Sequence, residues 1–126
     1  MRILIVDDSA MMRALIKRVV SLSEVPVDEV LEAGNGVEAL VMLETHDVQW
    51  LLTDINMPVM NGADLLREIA RRNRWPGLGK VIISTDGSTA RREEAAALDV
   101  HCYLEKPFSP EVLRDVLNDA VGSGRH

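Results

Sequence analysis

Five short apolar runs alternate with five stretches of helical periodicity along the chain. Residues 2–6, 27–33, 49–53, 80–83 and 101–104 have the length and the Val/Ile/Leu content of strands. Residues 9–22, 36–44, 62–72, 88–98 and 109–121 read as helices. The last is the most sharply drawn: Val112, Leu113, Val116, Leu117 and Ala120 make one stripe, and Ser109-Pro110 supplies an N-cap and a proline at the first helical position. The segment 88–98 carries the least periodic signal, and Arg91, Arg92, Glu93 and Glu94 read as a solvated face.

Repeated βα units with short links require parallel strands, and a parallel sheet is covered by helices on both faces. Its central strands are unbroken apolar runs, whereas its edges are mixed. Ile3-Leu4-Ile5-Val6, Trp50-Leu51-Leu52 and Val81-Ile82-Ile83 are unbroken; the second run is interrupted by Asp28, Glu29 and Glu32, and the fifth is mixed too. Strands two and five are therefore the edges. The expected fold class is α/β, a flavodoxin-like (βα)5 doubly wound five-stranded parallel sheet in strand order 2-1-3-4-5.

Ligands of such sheets sit beyond the carboxyl ends of the strands. Strand one ends in Asp7-Asp8, strand three in Asp54, strand four in Ser84-Thr85, and Lys106-Pro107 follows strand five. Three carboxylates in one crevice repel one another unless a cation joins them. A hard divalent ion such as Mg²⁺ takes oxygen ligands and uses few carboxylates. Asp8, with Asp7 beside it, and Asp54 offer side-chain oxygens, and the Asn56 backbone carbonyl offers another. The alternative is that Asp8 or Ser9 merely caps the first helix.

A carboxylate can also act as a nucleophile toward phosphorus. That chemistry asks for positioning, a metal, and further positive or hydrogen-bonding groups around the transferred charge. Lys106 offers the cation and Ser84 a hydroxyl. Singly, a lysine and a strand-end serine are ordinary surface residues; their joint placement carries the reading.

Composition narrows the classes. The 126 residues suit one compact domain, 1–121, followed by a flexible C-terminal tail, 122–126. A formal net charge of −6 argues against a general grip on nucleic acid. Cys102 is the only cysteine, which excludes an intrachain disulfide and a cysteine-rich zinc site. The chain offers no membrane-length apolar run, and MRILIVDD turns acidic before a signal sequence could develop. A cytoplasmic protein without a membrane anchor is expected.

VDDS at residues 6–9, TDINMPVMNG at 53–62, the hydroxyl after VII in VIISTDGS and YLEKPF at 103–108 resemble the receiver domain of two-component response regulators. DDSAMMR followed by TDINMP is most similar to single-domain, chemotaxis-type (CheY-like) receivers. The resemblance implies that Asp54 is the phosphoacceptor, that Asp7, Asp8, Asp54 and the Asn56 carbonyl serve Mg²⁺, and that Lys106 contacts the phosphoryl group, aimed by a cis peptide at Pro107. Receivers place a switch hydroxyl 22 residues before that lysine, the spacing of Ser84 from Lys106; Thr85 then takes the next position, and the alternative makes Thr85 the switch. Tyr103 matches the aromatic switch position; Asn56 and Asp86 lie two positions beyond the acceptor and the proposed switch hydroxyl, and their polarity at the pocket rim suits them to tune self-dephosphorylation. Thr85 is larger than the small residue common at its place and narrows access for bulky donors, and Asp99 stands where a glycine often follows the fourth helix.

The implied function is a signalling receiver, not an enzyme beyond Mg²⁺-dependent phosphotransfer to itself and self-dephosphorylation. Its partners are a histidine kinase as donor and a downstream protein bound at the face of helix four, strand five and helix five. No direct nucleic-acid or membrane contact is expected, and the chain is read as a monomer that can dimerise on phosphorylation. A phosphorylation-independent interaction module and a receiver cut from a larger regulator are the alternatives. A dehalogenase-type phosphatase would want a second aspartate at Asn56, and a flavin carrier a hydroxyl-rich loop where Asp7-Asp8 stand.

Overall fold

A computed structural model describes residues 1–85, 89–98, 100–106 and 108–122, without the side chains of 89, 91 and 119–122. Asp86, Asp99, Pro107 with its peptide bond, and 123–126 lie outside the described residues.

Ten elements alternate: β1 (Arg2–Val6), α1 (Ala10–Leu22), β2 (Glu29–Ala33), α2 (Gly36–Thr45), β3 (Trp50–Thr53), α3 (Gly62–Arg72), β4 (Gly79–Ser84), α4 (Thr89–Ala96), β5 (Cys102–Glu105) and α5 (Pro110–Gly122). The strands form one parallel sheet in the order β2-β1-β3-β4-β5, as the apolar pattern predicts. β2 and β5 are the edges, and all four residues of β3 are buried.

Side chains alternate across a strand, so each central strand feeds two cores. Ile3, Ile5, Leu52, Val81 and Ile83 meet Ile16 and Val20 of α1 and Leu113 and Leu117 of α5. Leu4, Val6, Leu51 and Ile82 meet Leu40 and Leu43 of α2 and Leu65 and Ile69 of α3. This is why the central strands read as continuous apolar runs: both faces are covered.

The boundaries move by one or two residues from those expected, for local reasons. Ser9 stands outside α1 as its N-cap, accepting the Met12 amide at 3.2 Å. β2 starts later than residue 27 because Asp28 turns to the chain's beginning, its amide on the Met1 carbonyl and its carboxylate on the terminal ammonium. β4 continues to Ser84, whose carbonyl accepts the Lys106 amide at 2.8 Å. The β2 edge is charged, with Glu29 paired to Arg2 and Glu32 to both Arg13 and Lys17.

Candidate functional site

The parallel register brings the ends of β1 and β3 side by side, Val6 opposite Thr53. Asp7-Asp8 and Asp54 follow those two residues directly. One carboxylate oxygen from each of Asp7, Asp8 and Asp54 lies within 4.8 Å of the others. Asp7 is buried, Asp54 half-buried and Asp8 exposed, so the cluster opens toward solvent on the Asp8 side. From β5, the Lys106 ammonium reaches in and donates to Asp7 Oδ2 at 3.2 Å, with only 10% of its side chain exposed.

Each acid is held differently. The Asp7 amide donates to the Ala33 carbonyl at 3.1 Å, and its Oδ1 accepts the Ser9 amide at 2.9 Å. Asp54 Oδ1 accepts the Ile55 amide at 2.8 Å. Burial pushes the Asp54 carboxyl above its ordinary 3.8, and the Asp7 charge adds to that. Lys106 and the amides of Ile55 and Asn56 pull the other way. With Ser9 as the helix cap, Asp8 is left to face the cluster.

The β3–α3 loop is folded tightly under Asp54. Gly62 donates its amide to the Ile55 carbonyl at 2.9 Å, and a Cβ on it would overlap the Asp54 carbonyl oxygen. Val59 has φ of 67° and sits at the centre of a turn closed by the Met60 amide on the Pro58 carbonyl at 2.7 Å.

The two hydroxyls after Ile83 divide between the faces of the sheet. Ile82 and Tyr103 are register partners on β4 and β5 and pack on the α2–α3 side. Ser84, two residues beyond Ile82 and buried, is on that same face as a diagonal neighbour of Tyr103. Thr85 is exposed and faces the other way, into a cleft of about 340 Å³ with Met12, Leu15, Ile16, Lys106 and Phe108. On the outer side of Tyr103, the Arg92 guanidinium lies 4.9 Å from the ring centroid and 3.4 Å from Glu105. The solvated face expected of α4 thus includes one arginine that binds β5.

The structure gathers Asp7, Asp8, Asp54 and Lys106 as the strand ends predict, with Thr85 lining the adjoining cleft and Asn56 supplying an amide. Asp86 lies outside the described residues. Sequence reasoning passed over Arg13, whose guanidinium donates to the Asp7 carbonyl at 2.6 Å and to Glu32 at 2.9 Å. Its signal was an arginine one turn into α1 and an acid interrupting the second apolar run.

An acidic cluster with an inward lysine at the carboxyl edge of a 2-1-3-4-5 sheet defines a receiver-like α/β protein. The chain belongs to the response regulator receiver domain family, which it matches over residues 3–118. It is 40% identical over 124 residues to the chemotaxis protein CheY1 of Helicobacter pylori, covering 98% of each chain. It is 39% identical over 125 residues to a chemotaxis protein CheY homolog of Campylobacter jejuni, covering 98% of this chain and 95% of that one. Among solved structures, the chemotaxis protein CheY4 of Vibrio cholerae superposes with a TM-score of 0.81 at 27% identity, over 94% of this chain and 97% of that one. The chain is thus a CheY-type receiver, a class of signalling protein. No helix among the described residues is long and apolar enough to cross a membrane.

Proposed function

We propose that this receiver takes a phosphoryl group onto Asp54 from a histidine kinase and relays the event to a downstream protein. The carrying observation is the convergence of Asp7, Asp8, Asp54 and Lys106 at one crevice. An Asp54 oxygen attacks phosphorus; the bond from phosphorus to the donor breaks, and its electron pair leaves with the donor atom. The backbone amides fix the Asp54 carboxylate for that attack. Lys106, now on Asp7, stands ready to neutralise an incoming phosphoryl oxygen.

The cluster suits Mg²⁺. Its three carboxylate oxygens within 4.8 Å of one another are the hard oxygen donors that this ion takes. Asp7, Asp8 and Asp54 would hold it, with the Asn56 carbonyl, and it would supply positive charge to the phosphoryl oxygens. It would also relieve the burial and like charge that keep the Asp54 carboxyl up.

Ser84 is the switch hydroxyl in this reading. Its face of the sheet is the face of Tyr103, whereas Thr85 belongs to the cleft and limits donor size. The phosphoryl group, with charge near −2, draws Ser84 toward Asp54 and frees space for Tyr103, which changes the α4–β5–α5 face that a target protein meets. Asn56 and Asp86 set the rate at which water removes the phosphoryl group; alanine at either position should change its lifetime, and an unchanged lifetime would sink that role. The protein acts within the cytoplasm, and its turnover is limited to its own phosphorylation and dephosphorylation.

The test is intact-mass spectrometry after incubation with acetyl phosphate, with Mg²⁺ or chelator, for wild type and Asp54→Asn. A single phosphoryl adduct that needs the metal and is lost in Asp54→Asn supports the reading. No adduct with either acetyl phosphate or an active histidine kinase favours a phosphorylation-independent module.

A further inference from the structure

Asp8 is the exposed member of the cluster, and among the described residues no donor holds its carboxylate. Its direction therefore depends on the peptide that joins it to Asp7. That peptide is gripped. Its carbonyl, that of Asp7, accepts Arg13 Nη1 at 2.6 Å, and the peptide before it is pinned by the Asp7 amide on the Ala33 carbonyl. Arg13 is itself held, because its Nε donates to Glu32 Oε1 at 2.9 Å while Lys17 takes Glu32 Oε2 at 3.2 Å. The arginine side chain is 20% exposed, and its hydrogen bond is the main cause holding the Glu32 carboxyl below its usual range.

A planar guanidinium can serve two acceptors in fixed directions at once, which a lysine ammonium on a flexible stem does not reproduce. Rotating the Asp7–Asp8 peptide would swing the Asp8 carboxylate away from Asp7 and Asp54. A charge placed only for its field would need no such bond to a main-chain carbonyl.

We propose that Arg13 is the positioning residue of the acidic cluster: braced by Glu32, it fixes the Asp7–Asp8 peptide so that Asp8 can join Asp7 and Asp54 around one divalent cation. This rests on the assignment of those three acids as the cation site. Field and position have opposite signs here. Removing a positive charge beside three carboxylates strengthens cation binding by Coulomb attraction, whereas losing the positioning contact weakens it. Groups that orient metal ligands are typically worth 10- to 100-fold in affinity.

The experiment is a Mg²⁺ titration followed by amide NMR shifts at Ile55, whose N–H is bonded to Asp54. Wild type is compared with Arg13→Met, Arg13→Lys, Glu32→Gln and Lys17→Met, each checked for a native spectrum. Arg13→Met should weaken Mg²⁺ binding about tenfold, with part recovered in Arg13→Lys and a smaller loss in Glu32→Gln. Lys17→Met removes a charge from the same network without touching Asp7 and should bind Mg²⁺ as wild type or tighter. If Arg13→Met lacks a native spectrum, Arg13→Lys, which keeps the charge but not the fixed fork, carries the comparison, and wild-type binding by it overturns the positioning role. Wild-type or tighter binding by Arg13→Met, or equal losses in Lys17→Met and Glu32→Gln, overturns the positioning role. A wild type with no saturable shift overturns the cation site itself, and the positioning role falls with it.

Discussion

Lys106 and Asp7 are 99 residues apart in sequence, and their charged groups meet at 3.2 Å with 10% and 3% of their side chains exposed. A pair this buried is costly to break from one side, because the remaining charge stays desolvated. Lys106→Met should therefore destabilise the protein by about 3 kcal/mol, read by urea unfolding at neutral pH without divalent metal. Adding Asp7→Asn should cost less than the sum of the single changes. A loss below about 1 kcal/mol would mean that solvent screens the pair.

Asp54 should make stability fall as pH rises. Its carboxyl is held above 3.8 in the folded state, so the folded protein binds that proton more tightly than the unfolded chain. Ionisation therefore works against folding, from about 3.8 upward to the raised value. Asp54→Asn, which cannot ionise, should gain on wild type across that window. Mg²⁺ should shrink the gain. Thermal unfolding from pH 3.5 to 7 checks both, and a constant difference across that range contradicts the sign.

Gly62→Ala should damage both stability and phosphorylation. The new Cβ would meet the Asp54 carbonyl oxygen and come within 2.9 Å of the Ile55 Cα, backbone atoms that cannot turn aside. A loss of about 2 kcal/mol is expected, with a slower phosphoryl adduct because Asp54 itself is displaced. Gly77→Ala is the control, since nothing lies within 4 Å of where its Cβ would stand.

Val59→Gly should stabilise the chain. A β-branched residue at φ of 67° is strained, and with 82% of the side chain exposed little packing is lost. A gain of about 1 kcal/mol would raise the melting temperature by roughly 3–5 °C. No rise would mean that the γ-turn costs little here.

Ser84→Ala and Thr85→Ala should separate relay from access. Ser84→Ala should still form the adduct but lose the phosphorylation-dependent change at Tyr103, the only tyrosine, seen in its ring NMR signals. Thr85→Ala should keep that change and speed reaction with bulkier donors. The reverse pattern would assign the switch to Thr85.

The sheet was legible because burial on both faces writes itself as unbroken apolar runs, and the charged runs marked the two edges that the order 2-1-3-4-5 requires. The acidic site was legible because topology alone puts Asp7, Asp8, Asp54 and Lys106 at one edge. What stayed hidden depends on side-chain reach. Nothing in the local pattern ties Arg13 to the Asp7 carbonyl or Arg92 to Tyr103, since both bonds cross between elements. Ser84 and Thr85 could be ranked by spacing, but only the β4–β5 register shows which one shares a face with Tyr103.

The charged β2 edge has a consequence for crowding. An open parallel strand offers unpaired amides and carbonyls to any similar strand, the usual route to ribbons and aggregates. Here Glu29 with Arg2, and Glu32 with Arg13 and Lys17, line that margin with hydrated ion pairs. A second copy adding its own β2 would have to strip water from both sets. The same glutamate that contacts Arg13 therefore also discourages edge-to-edge growth, which keeps the sheet to five strands.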